Sequence, residues 1–154
     1  MATYNNPWLY NDEPFESDSI KDYFGFIYHI RNLDNSRSYL GRKYFWSFTK
    51  DKGKKRRSKK ESDWKNYYGS CPELKEDIKI FGKHKFERRI ISLHKTLGKT
   101  NYEETKQLFL NNVLIEALDD GTPRYYNSNI LGRYYRKDYF NYETKNESNL
   151  QCDN

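Results

Sequence analysis

The residues whose chemistry is clearest from their type and spacing form a basic run between Lys50 and Lys60. The run holds eight Lys or Arg side chains and one Asp, a net charge of +7, whereas the whole chain carries +6. The excess is therefore local. Each phosphate that a cation neutralises releases a counterion, so the run predicts nucleic-acid contact; a solvated loop is the alternative. The expected contacts are Lys54, Lys55, Arg56, Arg57, Lys59 and Lys60.

A second basic cluster lies near the C-terminus and is interleaved with aromatic residues. Its cations can contact phosphates while its rings stack on bases. A packed terminal element with basic edges would give the same pattern, so both interpretations stay open. The cations are Arg133, Arg136 and Lys137, and the rings are Tyr134, Tyr135 and Tyr139.

The composition is that of a single domain with a small, aromatic-rich core. Of the 154 residues, 35% are hydrophobic and 18% are aromatic, and a disordered chain would be poor in aromatics. No stretch reaches the roughly 18 apolar residues of a membrane span, and the first residues do not resemble a signal peptide. Cys71 and Cys152 are too few for a disulfide scaffold or a cysteine-pair zinc site. We expect a protein of the cytoplasm that does not contact membranes.

The first element that can position functional side chains is a predicted β-hairpin. Residues 24–30 are β-branched and aromatic, which is typical of a strand, and residues 33–36 have turn chemistry. Residues 38–41 then form the returning strand. Alternating aromatic residues predict a further strand over residues 43–48.

Two helices and one more strand are predicted beyond the basic run. Ser70 and Glu73 have the spacing of a capping box, which predicts a helix that ends at Gly82. A strand follows over residues 85–93. Asn101 starts a second helix, which runs to about residue 117 and has Glu104 at the capping-box position.

This order of elements predicts an α+β fold. A small antiparallel sheet, made of the N-terminal hairpin plus one or two strands, is flanked by helices. Residues 1–19 are expected to form an extended arm that aromatic side chains could pin to the body. Residues 20–140 form the domain, with residues 50–62 as a basic loop insertion, and residues 141–154 form a flexible acidic tail.

The predicted hairpin carries two motifs that resemble the paired signature of the GIY-YIG nuclease family. They are Phe26-Ile27-Tyr28 and, after ten residues, Tyr39-Leu40-Gly41. The order of a helix, a strand and an acid-bearing helix is also similar, and the likeness covers about residues 22–137. The stretches that resemble a phage-encoded, homing-endonuclease-like branch are 64–70, 125–130 and 131–133.

The resemblance implies roles for individual residues. Tyr28 matches a tyrosine that helps to activate the attacking water, and Tyr39 matches one that orients this water or the scissile phosphate. An acid on the later helix binds one divalent ion, Mg²⁺ or Mn²⁺. Glu104 fits this acid best, although its neighbour Glu103 stays open. Asn127 resembles an asparagine near the active site, and we expect it to contact DNA.

Two departures from the family pattern affect the expected chemistry. Phe26 stands where the family usually has Gly, with Gly25 one residue earlier. The arginine that the family carries on its first helix is absent, and we expect Arg42 and Lys43 to supply its charge. Because the ordinary pKa of tyrosine is near 10, we expect a metal ion and clustered cations to lower the pKa of Tyr28.

Each of these residues also has a structural interpretation. Tyr28 and Tyr39 could be a cross-strand aromatic pair that stabilises the hairpin. Glu104 could only cap its helix. Arg42 and Lys43 could be solvated charges at the end of a strand.

The motifs and the basic run together predict a metal-dependent DNA endonuclease that acts in the cytoplasm of a phage-infected host. The resemblance implies hydrolysis to 5′-phosphate and 3′-hydroxyl ends, and one carboxylate with water and phosphate is a reasonable Mg²⁺ site. Little chain lies beyond the matched region for a second DNA-binding domain, so low-specificity nicking, structure-directed cutting or a homodimer is expected. The alternatives are a catalytically degenerate DNA-binding protein and a host-directed interaction protein.

Overall fold

A computed structural model describes residues 3–49, 53 and 58–142 of the chain. The strands in these residues are β1 (Leu9–Tyr10), β2 (Glu13–Pro14), β3 (Gly25–Asn32), β4 (Ser38–Tyr44), β5 (Trp46–Thr49), β6 (Ser58–Glu61), β7 (Phe86–His94), β8 (Asn129–Ile130) and β9 (Tyr134–Tyr135). The α-helices are α1 (Pro72–Phe81), α2 (Leu97–Leu110) and α3 (Arg136–Tyr139). No helix within these described ranges is long and apolar enough to cross a membrane.

The central sheet has five strands in the order β2-β1-β7-β3-β4. β3 pairs antiparallel with β4, with Tyr28 opposite Gly41, and pairs antiparallel with β7 on its other side. These pairings confirm the predicted hairpin and the predicted strand over residues 85–93. β1 pairs parallel with β7, so the sheet is mixed and larger than the predicted antiparallel sheet. The α+β fold class is confirmed.

The N-terminal segment joins this sheet, which corrects the expectation of an extended arm. β1 and β2 form a short hairpin at the edge of the sheet. The side chain of Trp8 is fully buried, packs edge-on against Phe26 and donates a 2.7 Å hydrogen bond to the carbonyl of Trp64. Because burial of a tryptophan removes a large apolar area from water, Trp8 fixes the segment to the domain.

Each face of the sheet has its own hydrophobic core. Side chains of a strand alternate between faces, so Tyr28 and Ile27 point to opposite sides. The face of Tyr28 carries an aromatic cluster that includes Trp8 and Trp64. The face of Ile27 packs against α2 and the chain after it.

α1 begins without the capping box that the sequence predicts. Its N-cap residue is Cys71, and no side chain caps the helix. Glu73 does not turn back toward Ser70, because it accepts a 2.7 Å hydrogen bond from the guanidinium of Arg37. Gly82 ends the helix as predicted, with a φ of 93° that favours glycine.

α2 starts and ends earlier than the sequence predicts. Its N-cap is Thr96, whose side chain accepts a 3.0 Å hydrogen bond from the backbone N–H of Lys99. Asn101 therefore lies inside the helix, where its side chain accepts a hydrogen bond from the hydroxyl of Tyr44. Glu104 consequently lies in the helix interior, and the predicted capping role is wrong.

The strand predicted over residues 43–48 exists in two parts. β4 ends at Tyr44, the side chain of Phe45 turns into the core, and β5 starts at Trp46. β5 pairs antiparallel with β6 in a separate two-stranded sheet. The basic run connects these two strands, and its residues 50–52 and 54–57 lie outside the described residues. The same holds for residues 143–154 of the predicted tail.

After α2 the chain returns along the exposed edge of β4. The N–H of Ser38 donates to the carbonyl of Arg124 at 2.9 Å, and its carbonyl accepts from the N–H of Tyr126 at 2.7 Å. The first part of the β4 edge is therefore covered by residues 124–126. The later part of the edge borders the candidate site.

Candidate active site

A cleft of about 310 Å³ lies where the edge of β4 becomes uncovered. The start of α1 borders it from one face of the sheet, and α2 borders it from the other. Because strand side chains alternate, β4 sends Tyr39 to the first face and Arg42 to the second. The side chains around the cleft include Tyr39, Arg42, Ser70, Glu104, Asn127 and Leu131.

Asn127 marks the end of the covered part of the β4 edge. Its side-chain amide donates to the carbonyl of Leu40 at 2.8 Å and accepts from the N–H of Leu40 at 3.1 Å. The amide thereby replaces the peptide group of a neighbouring strand. One N–H and the carbonyl oxygen of the amide are used internally, and the expected contact of Asn127 with DNA stays a prediction. Asn127 holds β4 in place beside the cleft.

Tyr39 enters the cleft from the side of α1. Burial raises the pKa of Tyr39 to about 12, although a hydrogen bond with Ser70 acts in the opposite direction. The ring of Tyr39 lies 6.1 Å from the ring of Tyr28, centre to centre, with a tilt of 35°. At neutral pH the hydroxyl of Tyr39 is therefore protonated and can donate a hydrogen bond.

Tyr28 lies beneath the strand edge and is buried. A Cβ atom on Gly41 would lie only 2.7 Å from the hydroxyl oxygen of Tyr28, so the glycine lets this hydroxyl approach the backbone of β4. Burial raises the pKa of Tyr28 well above its usual value, and the neighbouring Tyr39, Tyr67 and Glu104 add to the effect. This direction is opposite to the one expected from clustered cations.

Lys43 is paired with the carboxylate of Asp63. The Nζ atom of Lys43 lies 2.6 Å from a carboxylate oxygen of Asp63 and 4.1 Å from the ring centre of Tyr67. The hydrogen bond from Lys43 lowers the pKa of Asp63. Lys43 thus has a carboxylate partner of its own, and it lies outside the cleft that Tyr39 lines.

Arg42 and Glu104 meet across the cleft from β4 and α2. The Nε atom of Arg42 lies 3.3 Å from Oε1 of Glu104, but the two groups are not aligned for a hydrogen bond. Among the described residues this Nε–H is a buried donor without a hydrogen-bond partner. The guanidinium also lies 5.1 Å from the ring centre of Tyr44. Because an unpaired buried donor is costly, this N–H is suited to an anion that enters the cleft.

Glu104, and not Glu103, is the acid that faces the cleft. Burial raises the pKa of Glu104, and the charge of Arg42 opposes this shift. Glu103 points elsewhere, since it accepts a 2.7 Å hydrogen bond from the side chain of Gln107 and lies 3.9 Å from the Nζ of Lys106.

The residues around the cleft fit a single hard cation. Among the described residues Glu104 forms an ion pair with Arg42 but accepts no hydrogen bond, so its carboxylate can also take a cation. The described ranges contain no group of three or more His, Cys, Asp or Glu that could hold a metal without help. Mg²⁺ commonly keeps several waters and takes a carboxylate together with substrate phosphate. The carboxylate of Glu104 beside a guanidinium that can contact phosphate is compatible with this requirement.

The remaining expected DNA contacts are in different situations. Arg136 is held inside the domain, because its guanidinium lies 3.2 Å from Glu73 and donates to the carbonyl of Tyr125. It ties α3 to α1, and its expected contact with DNA stays a prediction. The expected contacts that are exposed are Lys59, Lys60, Arg133 and Lys137.

Two residues near the tyrosines were not expected to take part in the site. Ser70 was assigned to a helix cap, but its side chain pairs with Tyr39. Tyr67 packs against Tyr28 at 6.0 Å, ring centre to ring centre, with perpendicular planes. Both residues lie in the stretch 64–70, just before α1, that carries the resemblance.

Comparison with known protein families agrees with this geometry. Residues 8–130 match the family model described as "Putative endonuclease segE, GIY-YIG domain". The match spans most of the chain and includes both tyrosine motifs, Arg42, Glu104 and Asn127. No curated protein and no solved structure matches the chain.

Proposed function

Because the chain belongs to the GIY-YIG endonuclease family, in its segE-type branch, we propose that it hydrolyses DNA phosphodiesters in the cleft beside β4. The observation that carries this proposal is the ion pair of Arg42 and Glu104 at the cleft, in which the Nε–H of Arg42 has no hydrogen-bond partner among the described residues. A donor that is buried without a hydrogen bond is unfavourable for packing alone. Together Arg42 and Glu104 can hold a phosphate and a cation side by side.

Arg42 is the residue that binds the scissile phosphate. Cleavage of a phosphodiester builds negative charge on the phosphate oxygens, and a preorganised cation stabilises that charge. Arg42 has the required position because it lies at the open part of the β4 edge and lines the cleft. It therefore takes over the task of the arginine that is missing from the first helix.

The tyrosines act as neutral hydrogen-bonding groups. The pKa values of Tyr28 and Tyr39 are both raised, so neither hydroxyl is ionised at neutral pH. Tyr39 lines the cleft and orients the attacking water or the phosphate. Tyr28 is a positioning residue that supports Tyr39 and Gly41 from beneath the strand.

Glu104 would hold one divalent ion, Mg²⁺ or Mn²⁺. When bound, such an ion neutralises charge on a phosphate oxygen and lowers the pKa of a coordinated water. A proton competes with this cation for the carboxylate of Glu104, because burial raises the pKa of that group. Metal binding should therefore weaken as the pH falls toward that raised pKa.

The basic side chains outside the cleft guide the duplex to it. The run between Lys50 and Lys60 connects β5 to β6, which lie beside the second half of β4. Arg133 and Lys137 are exposed on the opposite side, near the turn that carries Leu131. Residues 64–70, 125–130 and 131–133 resemble a phage-encoded branch of the family, which supports an enzyme that acts in the host cytoplasm.

A plasmid-nicking assay tests the proposal. Supercoiled plasmid is incubated with the wild type, Glu104→Ala and Tyr28→Phe, each with Mg²⁺, Mn²⁺ or EDTA. We expect nicking by the wild type with either ion, none in EDTA, and at least tenfold slower nicking by both variants. Equal activity of all three proteins would remove this mechanism.

The same experiment separates the enzyme from a DNA-binding protein without catalysis. Such a protein would bind DNA in a salt-dependent manner and would cleave with neither ion. Gel filtration with and without DNA tests whether a homodimer forms. A monomer that nicks plasmid would contradict dimerisation as a requirement for cleavage.

A further inference from the structure

A second and larger cleft continues from the active site along the edge of β4. Its volume is about 560 Å³, and Arg42 lines both clefts. The second cleft runs between α2 and the β5–β6 hairpin. Its walls include Phe24, Arg42, Tyr44, Trp46, Phe48 and Tyr67.

The aromatic wall of this cleft is partly exposed, although Trp46 and Tyr67 also pack against the core. Tyr44, Trp46 and Phe48 alternate along the chain and all line the cleft, whereas Phe45 between them is fully buried on the opposite side. Phe48 is 45% exposed, and its ring lies parallel to that of Phe24 at 6.3 Å, with an angle of 12°. The rings therefore form a surface on which a further flat group can stack.

Three cations lie against these rings. The guanidinium of Arg42 is 5.1 Å from the ring centre of Tyr44, and the Nζ of Lys59 is 4.3 Å from that of Trp46. Lys43 takes the corresponding position on Tyr67. Lys59 lines a smaller neighbouring cleft together with Trp46, so its charge lies behind Trp46 as seen from the larger cleft.

We propose that this second cleft binds one unpaired nucleotide of the substrate, next to the phosphate that Arg42 holds. The enzyme then prefers DNA that has an extrahelical or single-stranded base at the cleavage site. The inference rests on the proposed function, because Arg42 is the shared phosphate contact. It adds the class of substrate to that function.

The chemistry of the walls selects this occupant. A base outside the helix exposes both of its π faces and stacks on aromatic side chains whatever its sequence, whereas a paired base has no free face. The flanking cations match the phosphates of the same strand. A cleft of this size is within the range that encloses small ligands, on the order of 300–1,000 Å³. Arg42 and Lys43 already have carboxylate partners in Glu104 and Asp63, so the partly exposed rings are what favours a base in this cleft.

Binding in EDTA tests the inference with the full-length chain, since no divalent ion is then available. Three duplexes of one sequence are compared: a fully paired duplex, one with a single unpaired 2-aminopurine, and one with an abasic residue at that position. We expect the duplex with the unpaired base to bind more tightly than the duplex with the abasic residue, by on the order of tenfold, because only the base can stack on the aromatic wall. The fluorescence of 2-aminopurine should be quenched on binding.

Variants of the aromatic wall localise the effect. Phe48→Ala and Trp46→Ala should each reduce the preference for the base over the abasic residue, and Trp46→Phe should keep it. Phe109→Ala is the matched control, since Phe109 is also an aromatic residue, 48% exposed, but it lies outside this cleft. Melting curves of each variant identify any that fails to fold, and Phe48→Ala changes a more exposed ring than Trp46→Ala does.

Equal affinity for the base and the abasic residue would overturn the inference. It would also be overturned if Phe109→Ala and Phe48→Ala reduced the preference equally. Cleavage in Mg²⁺ without a preference for the base would support the nuclease function and contradict the nucleotide site. A preference for the base in EDTA without cleavage in Mg²⁺ would support the nucleotide site and contradict the nuclease function.

Discussion

Glu104 illustrates how a residue of the site can oppose the stability of the fold. Burial raises its pKa above the usual 4.5, so the folded chain holds this proton more tightly than the unfolded chain does. The free energy of unfolding therefore falls as the pH rises from the ordinary pKa through the raised one. A carboxylate whose pKa is raised by burial in a cleft is typical of a functional site.

Replacement of Glu104 by Gln should stabilise the protein at neutral pH. The amide has no charge to desolvate, so the free energy of unfolding of Glu104→Gln does not fall as the pH rises from the ordinary pKa of a glutamate through the raised pKa of Glu104. We expect a higher melting temperature than the wild type at pH 7.5, with the difference shrinking toward pH 4. Thermal unfolding followed by circular dichroism measures it, and a wild type that is the more stable protein at pH 7.5 would refute the assignment.

Gly41 is required by the position of the Tyr28 hydroxyl. A Cβ atom at Gly41 would lie 2.7 Å from the hydroxyl oxygen and 2.9 Å from Cζ of a ring that is buried and cannot move away. Gly41→Ala should therefore lower the free energy of unfolding by about 1–3 kcal/mol. Urea denaturation measures this change.

A glycine without neighbours provides the control for Gly41. A Cβ atom at Gly98, inside α2, would meet no atom within 4 Å, so Gly98→Ala should be neutral or stabilising by up to about 1 kcal/mol. Tyr28→Phe removes the nearest atom and should recover part of the loss in Gly41→Ala. If Gly41→Ala denatures at the same urea concentration as the wild type, the close packing of Tyr28 under β4 is wrong.

At the scale of elements, the edge of β4 determines where the site can be. Asn127 satisfies the backbone of Leu40 with both ends of its amide, and the cleft opens directly after this pair. Asn127→Asp keeps the acceptor but sets a carboxylate oxygen against the carbonyl of Leu40. We expect a loss of about 1–3 kcal/mol in the free energy of unfolding, whereas the exposed neighbour Ser128→Ala should change it by less than about 0.5 kcal/mol. Equal losses in the two variants would contradict the role of Asn127 at this edge.

The elements that the sequence predicts correctly are those with local signals. The β3–β4 hairpin follows from aromatic strands around a turn, and the end of α1 follows from Gly82. β1 and β2 escape prediction because β1 joins the sheet by pairing with β7, which is far along the chain. The start of α2 is misplaced because Asn101 and Glu104 imitate a capping box, while the actual cap is Thr96.

The site is predictable only in part for the same reason. The resemblance of the two motifs led to Tyr39 and Glu104, and the residue after the second motif led to Arg42. Ser70 and Tyr67 lie in a stretch that carries the resemblance, but nothing local assigns them to the site, since their partners Tyr39 and Tyr28 come from other elements. The raised pKa of Tyr28 depends on burial in the folded chain, which the basic composition of the sequence does not indicate.

At the scale of the whole molecule, positive charge is concentrated in the basic run that connects β5 to β6. The six cations between Lys54 and Lys60 should supply much of the electrostatic part of DNA binding. Their replacement by Gln should weaken binding and reduce the salt dependence of log K by about 0.9 for each phosphate that is no longer neutralised. Fluorescence anisotropy at several salt concentrations measures the slope. The double variant Lys75→Gln/Lys79→Gln, on the exposed side of α1, is the control and should leave the slope unchanged.

If the basic run serves only solubility, a different result is expected for DNA binding. In that case the six-residue variant would bind DNA with the wild-type slope and would differ only in solubility. The result concerns DNA binding alone, because the cleft residues Arg42 and Glu104 are outside the run. Loss of binding with an intact cleft would therefore place recognition and catalysis in separate parts of the molecule.

The cleavage rates of two adjacent glutamate variants test the central claim most directly. Glu104 faces the cleft beside Arg42, whereas Glu103 bonds to Gln107 on the same helix. In single-turnover cleavage of an end-labelled duplex with Mg²⁺, Glu104→Gln should be slower than the wild type by about 10²-fold or more. Glu103→Gln should stay within about threefold of the wild type. Equal rates for the two variants, or a larger loss in Glu103→Gln, would contradict an active site at the edge of β4.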